Sequence, residues 1–364
     1  MIPGVLLVFV DGVGTGPADP SVNPLLRAGT PTLEELAGGP LTGEAGRTGP
    51  LRGRPLGGLA GLDARLGIPG TPASGTGHAA LITGHNAARI HGRHFGPWVP
   101  VALRKRLAAR NLFRQAREAG HAIRFANAYP EPLAHLPPRF EPGITLAARQ
   151  EGLLTRHGEA LVRGKAVAGS LDHELWRSRA PEGTRAAASL PRVSPQEAGR
   201  TLARMAAAGG LTVFAHYDTD RAGHRGGLEG AVRAAEKLDR FVAGIVDALP
   251  RSVLLCIASD HGNLEDVTAG HTGNPAVLLT HGPGGRRLLD RARSITDVTP
   301  GILEALRYGV SSPGRNGQPS DGASPSGGGL SRREPEGCPG PTPRGSDAPP
   351  DSPRSATSDG RTHG

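Results

Sequence analysis

Seven side chains able to bind a metal or attack phosphorus fall at four places in the sequence. They are Asp11, Ser74, the pair Asp220 and His224, and the trio Asp260, His261 and His271. Asp220 and His224 are spaced i, i+4, which puts them on one side of a turn or short helix; Asp218 competes for the same role. Carboxylate and neutral imidazole together suit a borderline divalent cation such as zinc or manganese. Asp260 and His261 are adjacent, so in an extended backbone they point apart. Two neighbouring metals, or a sharp turn into one metal, would let both serve. His271 returns at the end of a short loop in SDHGNLEDVTAGHTGNP. Ser74 lies among glycines in GTPASGTGHAALITG, ahead of a small-residue helix. A hydroxyl at a helix N-terminus is well placed to attack phosphorus, because free N–H groups and the helix dipole favour an anion there.

Each piece alone has a plainer reading. Asp11 in VFVDGVGTG suits a turn or an N-cap, Ser74 suits an N-cap, and with 14 histidines in the chain an isolated one means little. The Ser74 loop is not a P-loop, since the Gly-Lys-Ser/Thr ending is absent. DGVGTG lacks the full G-x-G-x-x-G of a dinucleotide fold. Together the seven gain weight, because all follow or flank expected strand ends. They suffice for two metals about 3.5–4 Å apart, and a metal-bound hydroxyl at Ser74 is activated without a neighbouring base.

The elements that must position these groups are four short apolar runs, VLLVFV (5–10), LTVFAHY (211–217), SVLLCIAS (252–259) and PAVLLTH (275–281). They lack strict alternation, as strands covered on both faces do. Between them, 226–249 places Leu228, Val232, Ala235, Leu238, Val242 and Ile245 on one helical stripe. TDVTPGILEALRYG has a Pro suited to a first helical turn and a Gly suited to a stop. The alternation predicts an α/β fold with a largely parallel sheet flanked by helices. In an open sheet of this kind ligands gather at the carboxyl ends of the strands. One amphipathic helix is expected over 101–120 and a strand over 121–129. Residues 89–199 read as a smaller inserted α/β cap domain within a core of 1–88 and 200–308. From about 310 few apolar residues remain, which predicts a disordered tail over 310–364 with no catalytic role.

Composition narrows the function classes. The net charge is +9, but the basic residues are almost all scattered Arg and aromatics are only 3%, so nucleic-acid binding is not expected. Two cysteines exclude a disulfide scaffold. The first apolar run is short and ends in Asp11, so it reads as a strand rather than a signal peptide. No run is long enough to span a membrane, and a cytoplasmic protein is expected.

In order along the chain, DGVG, SGTGH (74–78), DRAGH (220–224), SDHGN (259–263) and HTGNP (271–275) resemble the metal-binding signature of the alkaline phosphatase superfamily. The nearest branch holds cofactor-independent phosphoglycerate mutase and phosphopentomutase, and its general metalloenzyme-domain proteins are a further match. The resemblance covers roughly 1–88 and 200–308. It implies that Asp220, His224 and His271 hold one metal and that Asp11, Asp260 and His261 hold the other. Ser74 is then the nucleophile bridging towards them, transiently phosphorylated, and is preferred over Thr76. The insert is far shorter than that of the phosphoglycerate mutases and nearer the phosphopentomutase size. Arg89, Arg93, His94 and Asn127, where insert meets core, are candidates for substrate contact.

The expectation is therefore a two-metal enzyme, with manganese or zinc, moving the phosphoryl group of a small phosphate monoester. Transfer to water makes it a phosphatase, and transfer to another hydroxyl a phosphomutase. The alternatives are a phosphodiesterase or sulfatase on the same core, or a metal-binding protein without catalysis. The missing cysteine at the nucleophile position weighs against the sulfatase.

Overall fold

A computed structural model of the protein describes residues 4–43, 49–54, 56–131, 141–179 and 190–308. The chain begins with β1 (Gly4–Val10), α1 (Pro31–Ala37), β2 (Gly49–Arg54), β3 (Gly57–Leu62), α2 (Ser74–Thr83) and α3 (Ala87–His91). It continues through α4 (Val101–Ala109), α5 (Leu112–Glu118), β4 (Ile123–Phe125), α6 (Gly143–Gln150), α7 (Gly158–Val162), α8 (Glu174–Arg179) and α9 (Pro195–Ala206). Then come β5 (Gly210–His216), α10 (Asp218–Arg225), α11 (Gly227–Ala248), β6 (Val253–Ala258), β7 (Ala276–His281), α12 (Gly285–Arg291) and α13 (Val298–Tyr308).

The strands form one sheet in the order β2-β3-β7-β6-β1-β5-β4. The pairs β4–β5, β5–β1 and β1–β6 are parallel, whereas β6–β7, β7–β3 and β3–β2 are antiparallel. Five strands thus run one way, and only β7 and β2 oppose them. The four apolar runs became β1, β5, β6 and β7. Their unbroken hydrophobicity has a simple cause, since each face of the sheet is covered. Val5, Leu7 and Phe9 of β1 enter one core and Leu6, Val8 and Val10 the other. Burying each of the larger side chains contributes about 1.5–3 kcal/mol. The helix stripe foreseen over 226–249 is α11, with Ala235, Leu238, Val242 and Ile245 buried.

Two local expectations change. The single helix expected over 101–120 divides into α4 and α5 at Asn111, whose side chain accepts the N–H of Arg114 at 3.0 Å and so caps a new helix. The strands β2 and β3 were not foreseen, because their glycines carry little strand propensity. In β3, Gly57 answers to close packing. A Cβ on Gly57 would lie 1.9 Å from the Thr280 carbonyl oxygen of β7.

Met1–Pro313 make one compact unit. Within it, the segment read as an inserted cap, 89–199, supplies β4 to the edge of the common sheet. The tail expected to be disordered from 310 lies outside the described residues. Among the described residues no helix is long and apolar enough to cross a membrane.

Candidate metal centre

Register brings the chemistry-bearing residues together. Val10 of β1 pairs with His216 of β5, and Phe9 pairs with Ala258 of β6, so three adjacent parallel strands end at one level. Asp11 leaves β1 with its N–H on the His216 carbonyl at 2.9 Å, and its own carbonyl accepts the Thr219 hydroxyl at 2.6 Å. Asp220 and His224 lie on α10, which starts two residues after β5. Asp260 and His261 follow β6, His271 precedes β7, and Ser74 opens α2. Gly12, at φ 66°, allows this convergence, since a Cβ there would sit 2.7 Å from Asp220 Oδ1.

Ligand-type atoms collect in two groups, each lying within 4.8 Å of one another: Asp220, His261 and His271, and Asp11, His78 and Asp260. His261 Nε2 stands between them, 3.5 Å from Asp11 Oδ1, 3.3 Å from Asp260 Oδ2 and 2.9 Å from Ser74 Oγ. His271 Nε2 is 3.3 Å and His224 Nε2 3.5 Å from Asp220 Oδ1. The rings of His261 and His271 are 4.0 Å apart, and those of His224 and His271 4.7 Å. All seven foreseen residues therefore meet. Their division differs from the expected one in that His261 reaches both groups and His224 stands outside the tighter one.

Backbone partners orient two of the imidazoles. His261 Nδ1 faces the Gly262 carbonyl at 3.2 Å and His271 Nδ1 faces the Pro72 carbonyl at 2.9 Å. A carbonyl only accepts, so each Nδ1 carries the proton and each Nε2 is turned to the site, the arrangement that readies a histidine for a metal.

A cation fits these residues. Asp11 Oδ1, Asp260 Oδ2 and Asn263 Oδ1 are buried oxygens with no hydrogen-bond partner. Leaving such atoms unsatisfied is costly unless something cationic meets them. Carboxylate oxygens and imidazole nitrogens are also the donor set that zinc and manganese take.

The charges respond accordingly. Burial, and then the Asp11 carboxylate, push the Asp260 carboxyl well above the usual carboxylate range. Burial, helped by the neighbouring His271, lowers the His261 imidazole to about 4. Burial would also lower His271, but the hydrogen bond and charge of Asp220 outweigh it and raise the imidazole. Asp220 resists its own burial through the His271 hydrogen bond, the His261 charge and Asn263, and is held below the usual range.

Several residues of the centre had no role in the sequence reading. His78 is fully buried with Nε2 3.3 Å from both Asp11 Oδ2 and Asp260 Oδ2. Its i, i+4 spacing from Ser74 on a helix was the available signal. Asn263 Nδ2 donates to Asp220 Oδ1 at 2.6 Å. Glu265, also fully buried, accepts the N–H groups of Gly14 and Asn263 at 2.8 Å, the Asn274 amide at 3.1 Å and the Thr272 hydroxyl. It ties the loop after β1, which carries Asp11, to both ends of the β6–β7 loop, which carries Asp260, His261 and His271. Segment 89–199 reaches the centre through the Gly143 N–H on His78 Nδ1 at 3.1 Å and through Thr145, whose hydroxyl bridges Tyr129 and Tyr217.

The four residues considered for substrate contact lie elsewhere in the packing. Asn127 is buried and holds both backbone groups of Ala215, at 2.7 and 2.8 Å. His94 Nε2 faces the Ile68 carbonyl at 3.3 Å. Arg89 and Arg93 are exposed, the latter 6.0 Å over the Phe95 ring.

A family model described as the metalloenzyme superfamily matches residues 4–308. The 2,3-bisphosphoglycerate-independent phosphoglycerate mutase of Cereibacter sphaeroides is 36% identical over 106 residues, which are 26% of this chain and 21% of that enzyme. The corresponding enzyme of Agrobacterium fabrum is 37% identical over 107 residues, again 26% and 21% of the two chains. The matched stretch thus spans about a fifth of the length of these curated relatives. Among solved structures, a protein of Pyrococcus horikoshii matches with a TM-score of 0.49 at 14% identity, over 86% of this chain and 99% of the other. The alkaline phosphatase of the Antarctic bacterium TAB5 matches with a TM-score of 0.44 at 10% identity, over 85% and 99%.

Proposed function

This chain belongs to the metalloenzyme superfamily, and from that premise we propose a phosphoryl-transfer enzyme that works on a phosphate monoester with two divalent cations, manganese or zinc. Asp220, His224 and His271 hold one cation, and Asp11, Asp260 and His261 the other, with Ser74 beside them. The observation that carries this reading is the 2.9 Å approach of Ser74 Oγ to His261 Nε2, among buried carboxylate oxygens that lack partners. Divalent cations held there would supply Lewis acidity, lowering the pKa of a hydroxyl and neutralising charge on phosphoryl oxygens.

The chain's own residues supply the rest. Ser74 occupies the first position of α2, where no side chain caps the helix. The Thr76 N–H is taken by the Phe95 carbonyl at 2.9 Å, and the N–H groups of Ser74 and Gly75 with the dipole at such an end favour a phosphate. Ser74 Oγ attacks phosphorus in line; the bond from serine oxygen to phosphorus forms as the ester bond breaks, and the departing oxygen takes a proton. The phosphoserine then yields its group to water, as a phosphatase, or to a second hydroxyl of the substrate, as a phosphomutase. The partial likeness to phosphoglycerate mutases supports the second outcome. Segment 89–199 acts as the cap that excludes water during transfer, with Arg89 and Arg93 as its substrate-side cations and His94 as a polar contact.

The test is a metal count on the purified chain loaded with manganese or zinc, followed by hydrolysis of an aryl phosphate and a screen of sugar and glycerate phosphates. Two metals per chain, with turnover lost in Ser74→Ala and His271→Ala, is the expected result. A chain that takes up no metal sinks the reading. Two metals without turnover on any of these esters would favour a metal-binding protein that does not catalyse.

A further inference from the structure

Three imidazoles of the centre, those of His78 and His261 buried and that of His271 half-buried, are oriented in two opposite ways. His261 and His271 give their Nδ1 protons to backbone carbonyls and turn Nε2 inwards. His78 has the reverse arrangement. Its Nδ1 lies 3.1 Å from the backbone N–H of Gly143. An N–H only donates, so His78 Nδ1 holds a lone pair and the ring carries its proton on Nε2. That Nε2 stands 3.3 Å from Asp11 Oδ2 and 3.3 Å from Asp260 Oδ2, past the ends of two neighbouring strands, and completes a hydrogen bond to neither. A nitrogen that bears a proton cannot bind a cation.

We infer that His78, although its nitrogen lies among ligand-type atoms, is a positioning residue whose Nε2–H points between the Asp11 and Asp260 carboxylates without bonding to either, and so steers how the two face the metal. The inference rests on the reading of Asp11 and Asp260 as metal ligands. Every neighbour of the ring enforces the arrangement. Phe9 packs edge-on at 4.9 Å between ring centroids. Gly77 lets Asp260 approach, since a Cβ there would be 2.8 Å from Asp260 Oδ2. A Cβ on Gly143 would lie 2.6 Å from His78 Cβ, so only glycine brings the donor this close. Gly143 is the first residue of α6, where no helical carbonyl claims its N–H. One hydrogen bond from segment 89–199 thus selects the tautomer of a residue beneath the metal centre.

The test has two arms. In the first, the full chain with ¹⁵N-labelled histidine is observed by NMR, metal-free and then loaded with zinc, which is diamagnetic. His78 is expected to keep its proton on Nε2 throughout, whereas His261 and His271 bind through Nε2. Displacement of the His78 Nε2 proton by zinc, or a proton on Nδ1 in the metal-free chain, overturns the inference. In the second arm, calorimetry measures manganese binding to His78→Gln and His78→Leu, with thermal melting to confirm that each is folded. The Gln amide keeps an N–H donor near the Nε2 position and is expected to retain both metals within about threefold of the parent affinity. Leu is expected to weaken one of the two by about 10–100-fold, the usual effect of removing an outer partner of a ligand. Equal loss in both variants would make His78 a ligand, and no loss in Leu would make it mere packing; either result overturns the inference. A parent chain that binds no metal would instead refute the proposed function, and the metal-free NMR arm would still decide the tautomer.

Discussion

The two groups of metal-type side chains differ in depth and in how each balances its charge. Asp11, His78 and Asp260 are 5%, 0% and 0% exposed, and Asp11 Oδ1 and Asp260 Oδ2 have no partner. The outer group is more open, with the side chains of Asp220 and His271 18% and 20% exposed. It also neutralises itself. His271 carries a raised pKa because Asp220 accepts from it, and Asn263 satisfies Asp220 further. In the inner group the His78 Nε2–H lies 3.3 Å from both carboxylates without bonding to either and the Gly12 N–H reaches Asp260 Oδ1 at 3.5 Å, so the remaining balance falls to a proton on Asp260 or to a cation. The inner group is therefore built around a cation, whereas the outer group contains an internal ion pair that a cation must displace.

The most severe break of this contrast is Asp260→Asn. It is expected to leave one bound metal per chain and to cut phosphate-ester turnover by about 10³-fold, read by elemental analysis and steady-state kinetics. His271→Ala strikes the outer group instead. The weaker metal should lose about 100-fold in affinity while the inner one stays bound, which a manganese titration by calorimetry resolves.

Acidification should sharpen the contrast through proton release. His271 and Asp260 both have raised pKa values in the metal-free chain, so each holds its proton to a higher pH than usual and must give it up on binding. Affinity should fall as pH drops through those raised values, by about tenfold per pH unit for each proton displaced. His261, lowered to about 4, is already neutral near pH 7 and contributes no such loss. Calorimetry in buffers of differing ionisation enthalpy counts the protons released.

The smallest effect on metal binding is expected from Glu265→Gln, which touches neither group directly. Gln keeps one accepting oxygen and puts an NH2 in place of the other, so it faces a donor either at the Gly14 and Asn263 N–H groups on the Oε2 side or at the Asn274 amide on the Oε1 side. The expected cost is about 1–3 kcal/mol of stability, read from urea denaturation, with both metals weakened slightly and together. Loss of one metal alone would contradict the role of Glu265 as a common tie.

Much of this was legible in the sequence because it depends on local signals. The runs that became β1, β5, β6 and β7 are apolar on both faces, and a ligand-type residue follows or precedes each site-forming strand. The Gly-rich β2 and β3 were hidden by their low strand propensity, and in β3 Gly57 serves a close contact with β7. The role of His78 depends on Gly143, 65 residues away, and on the direction of one N–H bond, which no spacing encodes. Glu265 reads as an ordinary charged residue. Its burial was written only in Gly14, Gly16 and Gly262, where any Cβ would strike it within 2.9 Å.

The most direct measurement is mass spectrometry of the metal-loaded chain, quenched during turnover of an aryl phosphate. A phosphoryl group is predicted on the peptide containing Ser74, present with metal and absent after chelation. Turnover that leaves Ser74 unlabelled, or labelling that persists without metal, would contradict metal-dependent transfer through this serine.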